Sequence, residues 1–366
     1  MGNTAPEFKT HLPAQLIVRA GERIVLKCEV NPTEITATVK KNDHELKLVH
    51  GKHILKQEVT LLSLEILNAE EGDEGKYTLV VTNNKGSDSC SIMVIVELKP
   101  WRAIPESQDE MLNFLRNYEI CEKVPELRFL LHGPVGAGKS SIINTIKSIF
   151  ENRPYHLSLA SAASGKSFTL EYHKFPIGSE LSGQVPFAFY DVMGLEEGKS
   201  HGMHTDDIIS ALKGHIPEDY EFQPHAMTKE DKRYISDPTL RDMIHCLVSV
   251  LPADKVTIMS NSVIDKMKTV RAAASALGMP QMVFMTKVDE ACPMIKNNLS
   301  KVYQSKKIKE KMHECSNRLG VPMNCIFPMK NYHEETVLSE SVNLLMLEAL
   351  KQIVIAANDY VEKSSK

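Results

Sequence analysis

Several features that mark other protein classes are scarce in this chain of 366 residues. It has one tryptophan, and none of its seven cysteines forms a C-x-x-C pair of the kind that binds zinc. The longest apolar runs, such as CLVSVL and QIVIAA, are far shorter than the roughly 20 residues that cross a bilayer. The N-terminal MGNTAPEFKT lacks the apolar core of a signal peptide. We therefore expect a cytoplasmic protein with reduced thiols and no membrane span.

A concentrated basic region is also missing. Residues 1–99 carry 12 Lys and Arg against 14 Asp and Glu, and the rest carries 31 against 33, which together give the net charge of −4. Since nucleic acid affinity depends on basic side chains that neutralise phosphates, we expect no nucleic acid partner. The hydrophobic content of 42% and the charged content of 25% are those of a globular protein, and the length predicts two or three domains.

The first hundred residues predict an all-β sandwich over residues 11–98, after a flexible N-terminus of residues 1–10. Short alternating stretches such as RIVLKCEV are separated by close turns. The pattern Asp73-x-Gly75-x-Tyr77-x-Leu79 resembles the tyrosine corner of intermediate-set immunoglobulin domains, in which the hydroxyl binds the backbone of a turn. We expect this immunoglobulin-like domain to bind protein partners, although a passive folding unit is the alternative.

The sandwich departs from the immunoglobulin pattern at its centre. Leu79 stands where the family has the second cysteine of its disulfide, and Val39 stands where it has the core tryptophan. Cys28 therefore has no partner at the family's position. A bridge from Cys28 to Cys90, in the last strand, stays open as an alternative to reduced thiols. Apolar packing in place of a disulfide suits a reducing compartment.

A linker over residues 99–124, with a short helix capped by Ser107, precedes a predicted α/β domain over residues 125–363. The stretch LLHGPVGAGKSS contains G-x-x-x-x-G-K-S between an apolar strand and a helix, which is the context of a phosphate-binding loop (P-loop). Lys139 is predicted to reach the β- and γ-phosphates as a catalytic group, and Ser140 to bind Mg²⁺. The predicted nucleotide-binding residues of the loop are Gly133, Pro134, Val135, Gly136, Ala137, Gly138, Lys139, Ser140 and Ser141.

Two later motifs follow apolar strands and identify the nucleotide. Asp191 opens a D-x-x-G motif and is predicted to hold Mg²⁺, and the N–H of Gly194, the last residue of the motif, is predicted to reach the γ-phosphate. Thr286, Lys287 and Asp289 form T-K-x-D after the strand QMVFM, and a carboxylate there can accept two hydrogen bonds from the guanine edge. The order of the motifs predicts GTP and GDP as ligands in a doubly wound, GTPase-like sheet. Further helices are expected over residues 260–278, 296–320 and 336–363.

The residues expected to respond to the nucleotide are less well defined. Thr169 is predicted to contact Mg²⁺ and to take part in catalysis, with Ser167 as the second choice. Leu195 follows D-x-x-G, where Ras-type proteins place the glutamine that orients the attacking water, so slow hydrolysis is expected. His201 and His204 are weak substitutes. Residues 196–242 are predicted to form a long loop that binds protein partners.

The second half contains five separate stretches that identify a family: PWR (100–102), GPVGAGKSS (133–141), HIPEDYEFQP (215–224), DMIHCLVSVLPA (242–253) and TKVD (286–289). Together they resemble the interferon-induced protein 44 family. The resemblance implies a cytoplasmic, interferon-inducible, GTP-binding protein of the antiviral and immune response. We expect a nucleotide-dependent switch or scaffold, and the alternatives are a GTPase activated as a homodimer and a scaffold with a vestigial P-loop. The immunoglobulin-like domain is a departure from the better-known members.

Overall fold

The computed structural model describes residues 4–31, 34–105, 107–155, 171–179, 183–196, 204–223 and 225–364. The chain divides into two compact units, residues 1–101 and 102–366. The described strands of the first unit form two facing sheets, in the orders β1-β8-β7-β3-β4 and β2-β6-β5, and all neighbours are antiparallel except β1 and β8. These strands are β1 (Gln15–Arg19), β2 (Ile24–Glu29), β3 (Thr36–Lys41), β4 (His44–Glu45), β5 (His53–Gln57), β6 (Leu61–Ile66), β7 (Gly75–Asn83) and β8 (Gly86–Glu97).

The tyrosine corner predicted from the sequence is confirmed. The Tyr77 side chain is buried, and its hydroxyl donates to the carbonyl oxygen of Asp73 at 2.8 Å. Leu79 and Val39 face each other across the pair β7 and β3, and both are buried in the core. Apolar side chains therefore fill the positions that the family gives to a disulfide and a tryptophan.

The sandwich begins before the predicted boundary at residue 11. Phe8 is 3% exposed, its N–H donates to the Asp88 carboxylate at 2.8 Å, and it forms a β-bridge with Val30. Burial of an aromatic ring and a satisfied backbone donor hold this segment in place. The prediction of a flexible segment over residues 1–10 is therefore wrong for the part around Phe8.

The described strands of the second unit form one twisted sheet in the order β12-β10-β11-β9-β13-β14-β15. The neighbours from β11 to β15 are parallel, and at one edge β10 pairs antiparallel with β11 and β12 pairs antiparallel with β10. Strands β9 and β13 are almost wholly buried, as expected for central parallel strands covered on both faces. The strands are β9 (Leu127–His132), β10 (Glu171–Ser179), β11 (Gly183–Asp191), β12 (Tyr220–Glu221), β13 (Cys246–Pro252), β14 (Gln281–Thr286) and β15 (Ile326–Pro328).

The helices of this unit complete an α/β architecture, and the predicted fold class is confirmed for both units. Ser107 caps the first helix by accepting the N–H of Glu110, and the Gln108 side chain of that helix accepts a hydrogen bond from Asn343 of the last helix. The helices are α1 (Gln108–Arg116), α2 (Lys139–Glu151), α3 (Thr205–Leu212), α4 (Asn261–Ala276), α5 (Val288–Ala291), α6 (Pro293–Asn297), α7 (Lys306–Leu319) and α8 (Glu340–Lys363).

Two expectations about this region need correction. The helix predicted over residues 296–320 is broken: α6 ends at Asn297, and α7 begins after Ser305, whose hydroxyl accepts the N–H of Ile308. The 196–242 segment is more than a loop, because it contains α3 and β12. Asp207 of α3 is buried and accepts the N–H of Met227 at 2.7 Å, which anchors the helix to a later part of the same segment.

Candidate nucleotide-binding site

The loop between β9 and α2 has the backbone shape of a phosphate-binding loop. Gly133, Gly136 and Gly138 all have positive φ angles, of 156°, 74° and 93°. At Gly133 a Cβ atom would lie 2.2 Å from the carbonyl oxygen of Val250, so only glycine fits beside β13. Gly138 is the left-handed residue at the N-terminus of α2. The loop therefore ends on a helix N-terminus, where backbone N–H groups and the helix dipole favour an anion.

Lys139 lies over this loop. Its side chain is buried, and Nζ donates to the carbonyl oxygens of Gly133 at 3.2 Å and Pro134 at 3.3 Å. Burial lowers the pKa of Lys139, and the nearby Asp191 carboxylate partly offsets that shift. The ammonium group is thus held by two neutral carbonyls next to the loop backbone, which leaves it available to a phosphate oxygen.

Ser140 and Asp191 meet beside the loop, as the motifs predict. Asp191 is the last residue of β11, next to Leu131 of β9, and is 1% exposed. The Ser140 hydroxyl donates to Asp191 Oδ2 at 2.9 Å. A hydroxyl and a carboxylate oxygen are ligand types that Mg²⁺ prefers, so this pair fits a magnesium site.

The D-x-x-G segment packs directly on the P-loop. The Leu195 N–H donates to the Gly133 carbonyl at 3.0 Å, and the Val135 N–H donates to the Leu195 carbonyl at 3.2 Å. A Cβ atom on Gly194 would lie 2.6 Å from Val135 Cγ2 and 2.8 Å from its Cα. Leu195 is also 1% exposed, so its side chain is packed away from solvent. Its backbone N–H and carbonyl are both used in the two hydrogen bonds to the P-loop.

The T-K-x-D segment reaches the same loop from the other side. The Thr286 hydroxyl donates to the Ala137 carbonyl at 2.6 Å, so this threonine braces the P-loop against the end of β14. Lys287 has a φ of 57° and precedes α5, whose first turn contains Asp289. A cavity of about 420 Å³ joins the two motifs, and Gly136, Gly138, Ser141, Lys287 and Asp289 line it.

The remaining wall of this cavity comes from the segment after β15, residues 330–335, which no sequence motif identified in detail. Asn331 Nδ2 donates to the Gly138 carbonyl at 3.2 Å, and the Tyr332 N–H donates to the Thr145 hydroxyl at 3.0 Å. Lys330 Nζ lies 3.7 Å from Asp289 Oδ2 and 2.8 Å from Glu335 Oε1. The only sequence signal was the position of this segment, directly after the last strand of the sheet.

The structure brings together the predicted P-loop residues, Asp191 and the T-K-x-D residues. Thr169, Ser167 and His201 lie outside the described residues, so their proposed roles stay predictions. His204 is the residue that immediately precedes α3.

Comparisons with known proteins match both units. Residues 6–96 match the family model of the immunoglobulin I-set domain. Mouse interferon-induced protein 44 is 31% identical over 271 residues, which make up 73% of this chain and 64% of that protein. Human interferon-induced protein 44-like is 31% identical over 263 residues, 70% of this chain and 57% of that protein. The structure of titin M4 in its trigonal form is 26% identical, with a TM-score of 0.25, and the match covers 26% of this chain and 100% of that one.

The molecule is therefore an I-set immunoglobulin domain joined to an α/β unit. The similarity to interferon-induced protein 44 that the sequence motifs indicated is confirmed over the matched residues, at 31% identity. The chain spans only 64% and 57% of the lengths of these two relatives. Within the described residues, every helix is too short or too polar to cross a membrane.

Proposed function

We propose that this chain is an interferon-induced, cytoplasmic protein that binds GTP and GDP together with Mg²⁺ and acts as a nucleotide-dependent switch or scaffold. The support for interferon induction is the 31% identity with interferon-induced protein 44 of mouse and human. An increase of its transcript after interferon treatment of cells is the expected result, and an unchanged level contradicts this part of the proposal.

One observation supports guanine nucleotide binding more than any other. The 420 Å³ cavity runs from the glycines of the P-loop to Asp289, so the phosphate-binding and base-reading motifs open onto the same space. The volume is in the range of small-molecule sites. Adenine has no pair of adjacent donors that matches a carboxylate, whereas guanine presents N1–H and N2–H₂. The position of Asp289 therefore favours guanine.

The other residues have separate tasks in this proposal. The backbone N–H groups of the loop and the N-terminus of α2 bind phosphate oxygens, and Lys139 adds a positive charge next to them. Ser140 and Asp191 hold Mg²⁺, which neutralises phosphate charge when it is bound. Thr286 fixes the distance between the phosphate loop and the base-reading segment through its hydrogen bond to Ala137.

We infer that hydrolysis by the isolated protein is slow. Leu195 has no polar atom in its side chain, and its buried position on the P-loop keeps that side chain from the phosphates. A water molecule would lack the group that orients it in Ras-type proteins. Single-turnover rates at or below about 10⁻³ s⁻¹ are expected, in the range of intrinsic hydrolysis without an activator. Specific activity that rises with protein concentration would instead support activation by homodimerisation.

Calorimetry with GTP, GDP and ATP tests the binding itself. The full chain is expected to bind GTP and GDP and to discriminate against ATP, and Lys139→Ala is expected to weaken GTP binding at least tenfold, in line with the loss of about 1.5–3 kcal/mol for a charged hydrogen bond. Lys268→Ala is the matched control, because this lysine is exposed on α4. Absence of binding by the unaltered protein favours a scaffold with a vestigial P-loop, and a preference for ATP refutes the role of Asp289.

Partner binding is the proposed output of the switch. The I-set domain is a typical protein-interaction module, and the described part of the 196–242 segment, which follows the D-x-x-G motif in the chain, contains α3 and β12. We propose that the two surfaces bind protein partners. Affinity capture with GTP-loaded and GDP-loaded protein is expected to give different partners, and identical sets from the two forms contradict a switch.

A further inference from the structure

The ammonium group of Lys330 lies between two carboxylates at the base end of the cavity. Its distance to Glu335 Oε1 is 2.8 Å, and its distance to Asp289 Oδ2 is 3.7 Å. The three side chains are 31%, 30% and 22% exposed, so solvent screens them only in part. Lys330 is thus shared between Asp289, which binds the guanine base in the proposed function, and Glu335, to which the proposed function gives no role.

Glu335 is held in place by its own backbone turn. Its Oε2 accepts the N–H of His333 at 2.7 Å and the N–H of Glu334 at 3.1 Å, while Oε1 faces Lys330. Partial burial raises the pKa of Glu335, but these N–H donors and the Lys330 ammonium lower it more strongly, to about 2. Glu335 is therefore a fixed negative charge at neutral pH, with one oxygen directed at Lys330.

This arrangement bears on how Asp289 can recognise guanine. Two donors of the base need both carboxylate oxygens, and an ammonium group that moved onto Asp289 would compete for one of them. Lys330 is nearer to Glu335 than to Asp289 by 0.9 Å, the difference between 3.7 and 2.8 Å. Without the charge of Glu335, Asp289 would be the remaining carboxylate partner of Lys330 in this group, and the ammonium would shift toward it.

We propose that Glu335 is a positioning residue that holds Lys330 away from Asp289 and so keeps the Asp289 carboxylate available to the guanine base. The inference rests on the guanine nucleotide binding proposed above. It assigns a role in base selection to a segment that follows β15 and lies outside the recognised motifs.

Glu335→Gln tests the proposal, because it removes the charge and retains an oxygen that can accept the two backbone N–H groups. GTP affinity of the full chain is expected to fall about threefold to fivefold, as for the loss of one partly exposed ion pair. Binding of inorganic tripolyphosphate, which has no base, is expected to stay unchanged. Glu340→Gln removes an exposed acid in the first turn of α8 and is the matched control.

The double variant Lys330→Met/Glu335→Gln separates positioning from a structural effect. It is expected to bind GTP as tightly as Lys330→Met alone, since no ammonium remains to compete for Asp289. The proposal is overturned if Glu335→Gln binds GTP like the unaltered protein, if tripolyphosphate binding falls equally, or if the loss persists in the double variant. Absence of GTP binding by the unaltered protein instead overturns the proposed function and this inference together.

Discussion

Mild acid is predicted to destabilise the second unit through two buried histidines. His132, the last residue of β9, is 0% exposed, and its Nε2 lies 2.7 Å from the Ser249 hydroxyl. Burial lowers its pKa to about 3, with smaller contributions from Lys139 and Arg271. His245 is also 0% exposed, and burial lowers its pKa to about 4 despite the hydrogen bond with the Leu240 carbonyl.

The sign and size of the effect follow from proton binding. An unfolded histidine has a pKa of about 6.5. Between that value and the folded pKa, the unfolded chain binds protons that the folded chain does not, so the free energy of unfolding falls as the pH falls. A pH of 5 lies about 1.5 units below the unfolded pKa, and each unit corresponds to about 1.4 kcal/mol. Each histidine is therefore expected to lower the free energy of unfolding by about 2 kcal/mol at pH 5. His132 and His245 together are expected to make the free energy of unfolding about 4 kcal/mol lower at pH 5 than at pH 7.5.

Urea unfolding of the full chain at pH 7.5, 6.5, 5.5 and 5.0 measures this loss. His132→Gln and His245→Gln cannot titrate, so each single variant is expected to lose about 2 kcal/mol over the range and the double variant close to none. His313→Gln, at an exposed position of α7, is the control and is expected to behave like the unaltered protein. The reasoning is refuted if the single glutamine variants retain the full acid loss, or if the unaltered protein loses less than about 1 kcal/mol.

Three further predictions concern other contacts. Gly194→Ala places a methyl group against Val135, so it is expected to lower the free energy of unfolding by about 1–3 kcal/mol. It is also expected to weaken GTP binding more than GDP binding, and equal losses of GTP and GDP affinity in calorimetry contradict this. Tyr77→Phe is expected to lower the free energy of unfolding of the sandwich by about 1–3 kcal/mol, and a change below about 0.3 kcal/mol refutes a role for the corner. Cys28 and Cys90 are free thiols with Sγ atoms 3.4 Å apart, so glutathione disulfide is expected to oxidise them to a Cys28–Cys90 disulfide. The two thiols give up two protons and two electrons, and glutathione disulfide is reduced to two glutathione thiols. This disulfide is expected to raise the free energy of unfolding of the sandwich by about 4 kcal/mol. If the unaltered protein and Cys90→Ala have the same unfolding midpoint after treatment with glutathione disulfide, the prediction is wrong.

Much of the fold could be predicted because the determining signals are local. Alternating apolar residues and close turns indicate the sandwich, and the tyrosine corner occupies five consecutive residues, from Asp73 to Tyr77. The P-loop is also local, since the glycines that need a positive φ and the lysine that follows them lie within one short stretch. Each of these patterns limits the backbone in a way that few other structures satisfy.

Two other features were not predicted, one because a local cap interrupts an amphipathic run and one because it depends on a distant contact. The amphipathic run over residues 296–320 reads as one helix, yet Ser305 starts a new one because its hydroxyl satisfies the N–H of Ile308. The 196–242 segment has weak local signals, and α3 is stabilised there by the buried contact from Asp207 to the Met227 backbone. The cap at Ser305 is local, whereas the contact of Asp207 with Met227 joins residues 20 positions apart that the sequence does not place together.

The sequence by itself determined the two-unit architecture, the order of the P-loop, D-x-x-G and T-K-x-D motifs, and the residue types on which the proposed binding of phosphate, Mg²⁺ and guanine rests. Only the tertiary structure decided which groups meet: the Cys90 thiol lies opposite Cys28, the Leu195 backbone is hydrogen-bonded to the P-loop, and the Lys330 ammonium is shared by Asp289 and Glu335. The physical reason is the difference in sequence separation between the residues that take part in these interactions. Backbone preferences and capping act within a few residues, whereas ion pairs and core contacts depend on distances that exist only after the sheets have formed.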